Sequence, residues 1–220
     1  MDKLSKVLKR IRSYTLNHPE LKKSHHFLFN APLVKNLKHA DAIVIGLNPG
    51  ETQEDWKYDS SLPTEESNEF DFHNEIGESR SSMRWRNECQ KYLPNHNIVL
   101  SEFFFWSSNN VKEKFSERFG YSFKNSPHFE FCKECNEELI KFHKPKLIIA
   151  TGTSWARFFA EIYKLKFIRT LKSEKDKRRR NIIHHYNFNG IPFIFTLHWS
   201  GAHLSRDEKK EIQSHISRYL

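Results

Sequence analysis

Cysteine is scarce in this chain, and its three residues, Cys89, Cys132 and Cys135, are an odd number. That excludes a disulfide framework. Cys132 and Cys135 are spaced C-x-x-C, but no second pair exists, and a zinc or iron–sulfur centre needs about four ligands. The pair reads instead as two helical cysteines in a reducing compartment, with no metal and no cofactor expected. Long apolar runs are also missing. No stretch approaches the roughly 18 residues of a membrane-spanning helix. The basic, amphipathic N-terminus lacks the apolar core and cleavage site of a signal peptide, so a cytoplasmic protein is expected. Neither G-x-x-x-x-G-K-[ST] nor G-x-G-x-x-G occurs, which weighs against a phosphate-loop or dinucleotide enzyme. No internal repeat or linker divides the chain.

Acidic residues are in deficit: 27 against 36 basic ones, a formal charge of +9 over 220 residues. That balance favours a polyanionic partner, nucleic acid before an acidic membrane surface, although a merely soluble basic protein would also show it. What the chain has in abundance is aromatic residues, with 19 Phe, 7 Tyr and 5 Trp. Each carries a large buried area, and the length suits one domain with a sizeable core.

The stretch Ala42 to Gly50, A-I-V-I-G-L-N-P-G, reads as a buried strand that breaks into a tight loop. Pro49 cannot donate to a sheet, and it pushes Asn48 out of the helical region. A polar amide is thereby held where a strand ends. Around it the spacing predicts helices over 2–16, 82–93, 127–143, 155–163 and 205–219, with a weaker one over 112–119. Ser126 is the expected cap of the third, and Thr153 or Ser154 that of the fourth. Strands are expected at 42–47, 98–106 and 146–151, and at 182–188 and 191–197 around Asn189-Gly190, a strong hairpin signal. Residues 169–181 read as an exposed charged stretch. Residues 1–41 form an N-terminal helical extension, with a short helix within 32–39. Residues 51–79 form a long polar insertion carrying Trp56, Tyr58, Phe70 and Phe72. Ser205 and Glu208 make a capping box for the last helix. The alternation predicts one domain over residues 1–220, three-layer α/β/α, with a mainly parallel central sheet of about four strands and an antiparallel edge hairpin. Asn48 and His198 then leave the sheet at one edge, where ligands bind in such folds.

Several segments, taken in order, resemble the uracil-DNA glycosylase superfamily. Gly46-Leu47-Asn48-Pro49-Gly50 is similar to the G-x-N-P-G first motif of its mismatch-specific and single-strand-selective branches. His198-Trp199-Ser200-Gly201-Ala202-His203-Leu204-Ser205 resembles the second motif, H-P-S-x-x-S or N-P-S-G-L-S. Lys144 to Gly152 is similar to the P-K-x-I-V-A-x-G strand, and Gly77 to Arg84 more weakly to the approach to the helix after the first motif. Together these cover most of residues 40–215.

The resemblance implies a monomeric, monofunctional DNA N-glycosylase, a base-excision repair hydrolase acting on a base flipped from the stack of double- or single-stranded DNA. Asn48 would position the attacking water, orienting it rather than deprotonating it. His198 would stabilise the departing base anion. Gly46, Leu47, Pro49, Gly50 and Glu102 would line the base pocket, with Trp56, Tyr58, Phe70 or Phe72 stacking on the base. Ser200, Gly201, His203, Leu204, Ser205 and Arg206 would grip DNA, with Leu204 either a wedge in the vacated stack or a staple on the last helix. Arg178 and Arg179, within Lys172–Arg180, would contact phosphates, or form a solvated loop.

Two positions depart from the family pattern. Glu102 falls near an Asn that reads the uracil edge in many members. An ionised carboxylate only accepts hydrogen bonds, and so favours a base with an amino group, or a sugar hydroxyl, over uracil, unless Glu102 is a structural group or Asn109 or Asn110 does the reading. Trp199 stands where most members have Pro. The alternatives are a glycosylase for a bulkier modified base in defence against phage, and a non-catalytic nucleic-acid-binding module on the same scaffold.

Overall fold

The structure is a computed structural model, and it describes residues 3–24, 39–49, 87–108, 114–174, 179–199 and 203–220. Six strands form one sheet in the order β2-β1-β3-β6-β5-β4. They are β1 (Ala42–Gly46), β2 (Ile98–Glu102), β3 (Leu147–Thr151), β4 (Lys166–Lys172), β5 (Asn181–Phe188) and β6 (Ile191–Thr196). The first four in that order run parallel, while β5 and β4 continue the sheet antiparallel. The helices are α1 (Lys3–Leu16), α2 (Phe115–Phe119), α3 (Phe129–His143), α4 (Ala156–Ile162) and α5 (Arg206–Ile216). Residues 87–92 are also helical.

Alternation along the buried strands sends side chains to two separate cores. Ile43, Ile45, Val99, Ile148, Ala150, Phe193 and Phe195 face α1, α3 and α4. Ala42, Val44, Ile98, Leu100, Leu147, Ile149 and Ile194 face α5 and the 87–92 helix. Helices therefore cover both faces, the three-layer arrangement expected of a parallel sheet.

The strand count corrects the expectation of about four. The strand that no expected segment covers is β4, which begins between the expected 155–163 helix and the charged stretch at 169–181 and runs into that stretch. Its residues are mostly exposed, with Lys166, Arg169 and Lys172 along it. Charge on an edge strand blocks pairing with another chain, so the polarity that reads as loop belongs to a guarded edge. The hairpin beside it is as expected: Asn189 and Gly190 take φ of 50° and 91°, both positive as a two-residue primed turn needs.

Other boundaries move for local reasons. β2 stops at Glu102 rather than 106, because Phe103 to Trp106 bury their rings in the core while the backbone tracks the loop after β1. Phe103 stacks on Phe159 at 3.6 Å, and Phe104 sits among Phe115, Phe119, Phe123 and Phe129. α3 starts at Phe129, with Ser126 Oγ accepting from the His128 N–H at 3.2 Å in the preceding turn rather than capping the helix. Residues Thr153–Trp155 form a 3-10 turn before α4, and no side chain caps it. The Ser205–Glu208 capping box on α5 is present in both directions. The 32–39 helix and the 51–79 insertion lie outside the described residues.

The N-terminal helix is part of the domain body. Thr15 Oγ1 accepts from the Trp106 indole N–H at 2.9 Å and donates to the Ile11 carbonyl, while Tyr14 stacks on Phe131 at 3.7 Å. Arg10 pairs with Glu134 and Glu138 of α3. This fastens α1 over the run 103–108, and through it to the loop after β1.

Candidate functional site at the carboxyl edge of the sheet

β1, β2, β3 and β6 are parallel, so all four end at one edge. β1 connects onward to one side of the sheet and β3 to the other, and a divergence of this kind is where open α/β sheets bind ligands. Registers align the strand ends. Gly46 pairs with Glu102, Thr151 follows the Ile45–Ala150 pair, and Thr151 pairs with Thr196. Glu102, Gly46, Thr151 and Thr196 thus form one row on the α5 face, with Asn48 and His198 just beyond it.

The loop after β1 is clamped to the run after β2. The N–H groups of Phe103, Phe104 and Ser108 donate to the carbonyls of Gly46, Leu47 and Pro49 at 2.9, 3.0 and 3.3 Å. Within this frame the Asn48 amide donates to the Pro49 carbonyl at 3.1 Å and to Ser108 Oγ at 2.8 Å. Both contacts use Nδ2, which leaves Oδ1 as the acceptor on a fixed, half-buried amide. Leu47 packs its side chain on the aromatic core, so it anchors the loop.

His198 follows β6 and is half-buried. Burial lowers its pKa below the ordinary value, so the ring is neutral at neutral pH and can donate one N–H. β3 separates β1 from β6, so two strand spacings, roughly 10 Å, lie between the strand ends that carry Asn48 and His198. Trp199 is buried and stacks on Tyr92 at 4.3 Å with rings 6° apart. It anchors the His198 loop to the 87–92 helix.

Glu102 ends β2 at this edge. Its carboxyl lies over the α-carbon of Gly46: a side chain there would place its Cβ 2.8 Å from Cδ and 2.9 Å from Oε1, with Oε2 closer still. Oε2 is buried and has no hydrogen-bond partner. Desolvation alone pushes the pKa up to about 8. At neutral pH that shift favours the acid form, which both donates and accepts. Asn136 of α3 holds the strand end: its Nδ2 donates to the Glu102 carbonyl at 2.9 Å and its Oδ1 accepts from Ser101 Oγ at 2.5 Å. Sequence reasoning missed Asn136, since an amide inside a helix carries no signal of what it faces.

Of the remaining expected residues, Ser205 is engaged in its cap. Leu204 packs against the α5-face core. His203 and Arg206 are exposed, as is Arg179 with a φ of 45°. Arg180, in the stretch expected to hold phosphates, is instead committed to the protein. It forms a bidentate pair with the fully buried Glu208 at 2.6 and 2.9 Å, and donates to the His203 carbonyl at 2.8 Å. Gly50, Trp56, Phe72, Asn109, Asn110, Arg178, Ser200 and Gly201 lie outside the described residues. Cys89, Cys132 and Cys135 are buried and free. Among the described residues no group of three His, Cys, Asp or Glu is placed to hold a metal ion, and no helix is long and apolar enough to cross a membrane.

Fold and edge together define an α/β protein whose four parallel strands end at one edge. No family model and no curated protein matches the chain. Among solved structures it is similar to a domain of unknown function (DUF1537) from Bordetella bronchiseptica, a domain-swapped dimer with bound citrate. Identity is 8%, the TM-score is 0.35, and the match covers 82% of this chain and 42% of that one.

Proposed function

We propose that this protein is a DNA glycosylase that hydrolyses the N-glycosidic bond of a uracil-like base flipped out of DNA. The observation that carries the reading is the pairing, at one sheet edge, of an amide fixed through Nδ2 with a neutral imidazole two strands away. Asn48 Oδ1 accepts a hydrogen bond from water and aims its lone pair at the anomeric carbon. The amide does not take the proton; it orients the nucleophile toward a sugar that is already cation-like. His198, held neutral by burial, donates an N–H to the base oxygen where negative charge grows. One such donor is worth about 3 kcal/mol, or on the order of a hundredfold in rate. The charge of +9 suits a polyanionic substrate.

The test is base release from end-labelled oligonucleotides carrying uracil opposite guanine, uracil opposite adenine, single-stranded uracil, hypoxanthine or hydroxymethyluracil, followed by alkaline strand cleavage. Cleavage by the wild type, reduced at least a hundredfold in both Asn48→Ala and His198→Ala, is the expected result. Salt-sensitive DNA binding without release of any base would instead assign the chain to non-catalytic nucleic-acid binding.

A further inference from the structure

Charge is enough to guard an edge strand, and guarding it does not call for exposed apolar side chains. β4 has both. Between Tyr163 and Ser173 the chain carries Lys164, Lys166, Arg169 and Lys172 and no acidic residue. All four cations are exposed, and among the described residues none pairs with a carboxylate. Leu16, Phe167 and Ile168 are the exposed large hydrophobic residues among those described. Two of these three stand side by side on β4, between Lys166 and Arg169, at 55% and 48% exposure. Phe167 is braced from within the sheet: its ring meets that of Tyr186 edge-to-face at 5.4 Å, and Tyr186 in turn packs on Phe195. A lone exposed apolar residue is ordinary. An adjacent pair framed by unpaired cations marks a contact surface.

The residues themselves select the occupant. A second copy pairing antiparallel about Arg169 would set Arg169 against Arg169 and Lys166 against Lys172, like charges directly opposite. Addition of a peptide strand needs an even ladder. Phe167 pairs with Tyr186 and Arg169 with His185, so Ile168 is an extra residue and β4 is bulged there. A bulge turns an edge away from pairing. Duplex DNA would meet the cations with phosphates, but it keeps its base faces stacked inside and offers Phe167 and Ile168 only a polar backbone. A single strand brings phosphates together with unpaired base faces, and these stack on aromatic side chains.

We propose that β4 is a docking strand for single-stranded nucleic acid, with Lys166, Arg169 and Lys172 against its phosphates and Phe167 under a base. This surface lies outside the Asn48 and His198 loops and holds whether or not a base is cleaved there. Its direction relates the two. β4 runs parallel to β6, since each is antiparallel to β5. Leu171 pairs with Ile183, and Ile183 with Thr196. Lys172 is therefore level with the end of β6, two strand spacings or roughly 10 Å across the sheet from the strand that leads to His198. From there the seven residues of β4 run back toward the opposite edge, over roughly 20 Å. A strand bound along β4 thus has one end at the edge that carries Asn48 and His198.

The experiment measures binding of a fluorescein-labelled oligothymidine of about 20 nucleotides to the full chain, by anisotropy over a salt series. The probe holds no uracil or modified base, so binding is read apart from base release. Circular dichroism confirms that each variant is folded. Phe167→Ala should weaken binding on the order of tenfold with the salt slope unchanged, and Phe167→Trp should retain wild-type affinity. Lys166→Ala and Arg169→Ala should each lower the salt slope by about 0.7, one phosphate contact on a single strand. Lys141→Ala, an exposed cation on α3, should leave it unchanged. A duplex of the same length should bind more weakly and be indifferent to Phe167→Ala. Absence of wild-type binding, binding untouched by Phe167→Ala, or an equal loss in Lys141→Ala overturns the proposal. So does a Phe167-dependent preference for phosphatidylserine vesicles over the oligonucleotide, which would make β4 a membrane-contact strand. If the oligothymidine pattern holds while no base is released from any substrate, the hydrolase reading fails and the β4 surface stands. If base is released but the β4 variants bind like wild type, the reverse is true.

Discussion

Replacing Glu102 by Gln should change how the protein's stability depends on pH. The carboxyl has an ordinary pKa of 4.5 and is raised to about 8 in the fold by burial. A carboxyl whose folded value is raised costs nothing below 4.5. The cost then grows as pH rises, and levels off above the folded value. At pH 7 the unfolded chain has ionised this group and the folded chain has not. The penalty is the roughly 2.5 pH units between 4.5 and 7, at about 1.36 kcal/mol each, or about 3 kcal/mol. At pH 9 it reaches about 5 kcal/mol by the same arithmetic. Gln has no such titration. Urea unfolding of both proteins at pH 4, 7 and 9 is the measurement, and the readout is the change in their stability difference. The difference should shift in favour of Gln by about 3 kcal/mol from pH 4 to pH 7, and by a further 1–2 kcal/mol or so by pH 9. A difference that stays constant across pH would refute the reasoning, because it would mean that Glu102 titrates in the fold as it does in the unfolded chain.

Gly46→Ala places a methyl where the Glu102 carboxyl lies. It should cost about 1–3 kcal/mol at pH 4 through overpacking, and should abolish most of that pH-dependent difference, as read by the same titration in the double variant. Arg180→Ala strands the fully buried Glu208 carboxylate, with an expected loss of about 3–5 kcal/mol in chemical denaturation. Arg180→Lys should recover only part of it, since an ammonium cannot bridge both oxygens. His215 is buried, and its pKa is lowered to about 4, chiefly by desolvation and then by Arg169, His185 and Arg218. Its depressed value means that stability is complete above 6.5 and declines as pH falls toward 4, by about 3 kcal/mol. His215→Phe should flatten that acid limb in thermal melts between pH 7 and 4.

Local chemistry carried much of the fold. A buried apolar run cut off by Gly46 and Pro49, an Asn-Gly turn whose two residues both need positive φ, and a reciprocal Ser205–Glu208 cap each act within a few residues of themselves. They stand in the structure where periodicity and turn rules place them. The same rules failed at β4, where an edge strand's exposure mimics a loop, and at Phe103 to Trp106, where aromatic burial rather than strand pairing explains the apolar run.

The site divides along the same line. Asn48 and His198 were legible because strand order and parallel direction alone bring their loops to one edge. The state of Glu102 was not, for desolvation belongs to the groups packed around a carboxyl and not to the carboxyl, and those come from β1, β3 and the 87–92 helix, distant in sequence. Nor could the sequence tell that Arg180 answers Glu208 instead of a phosphate, or that Trp199 lies flat on Tyr92. The sequence by itself determined which strands end together. Only the tertiary structure decided which side chains there are neutral, paired or exposed, because charge state and partner are set by whatever the fold packs against them.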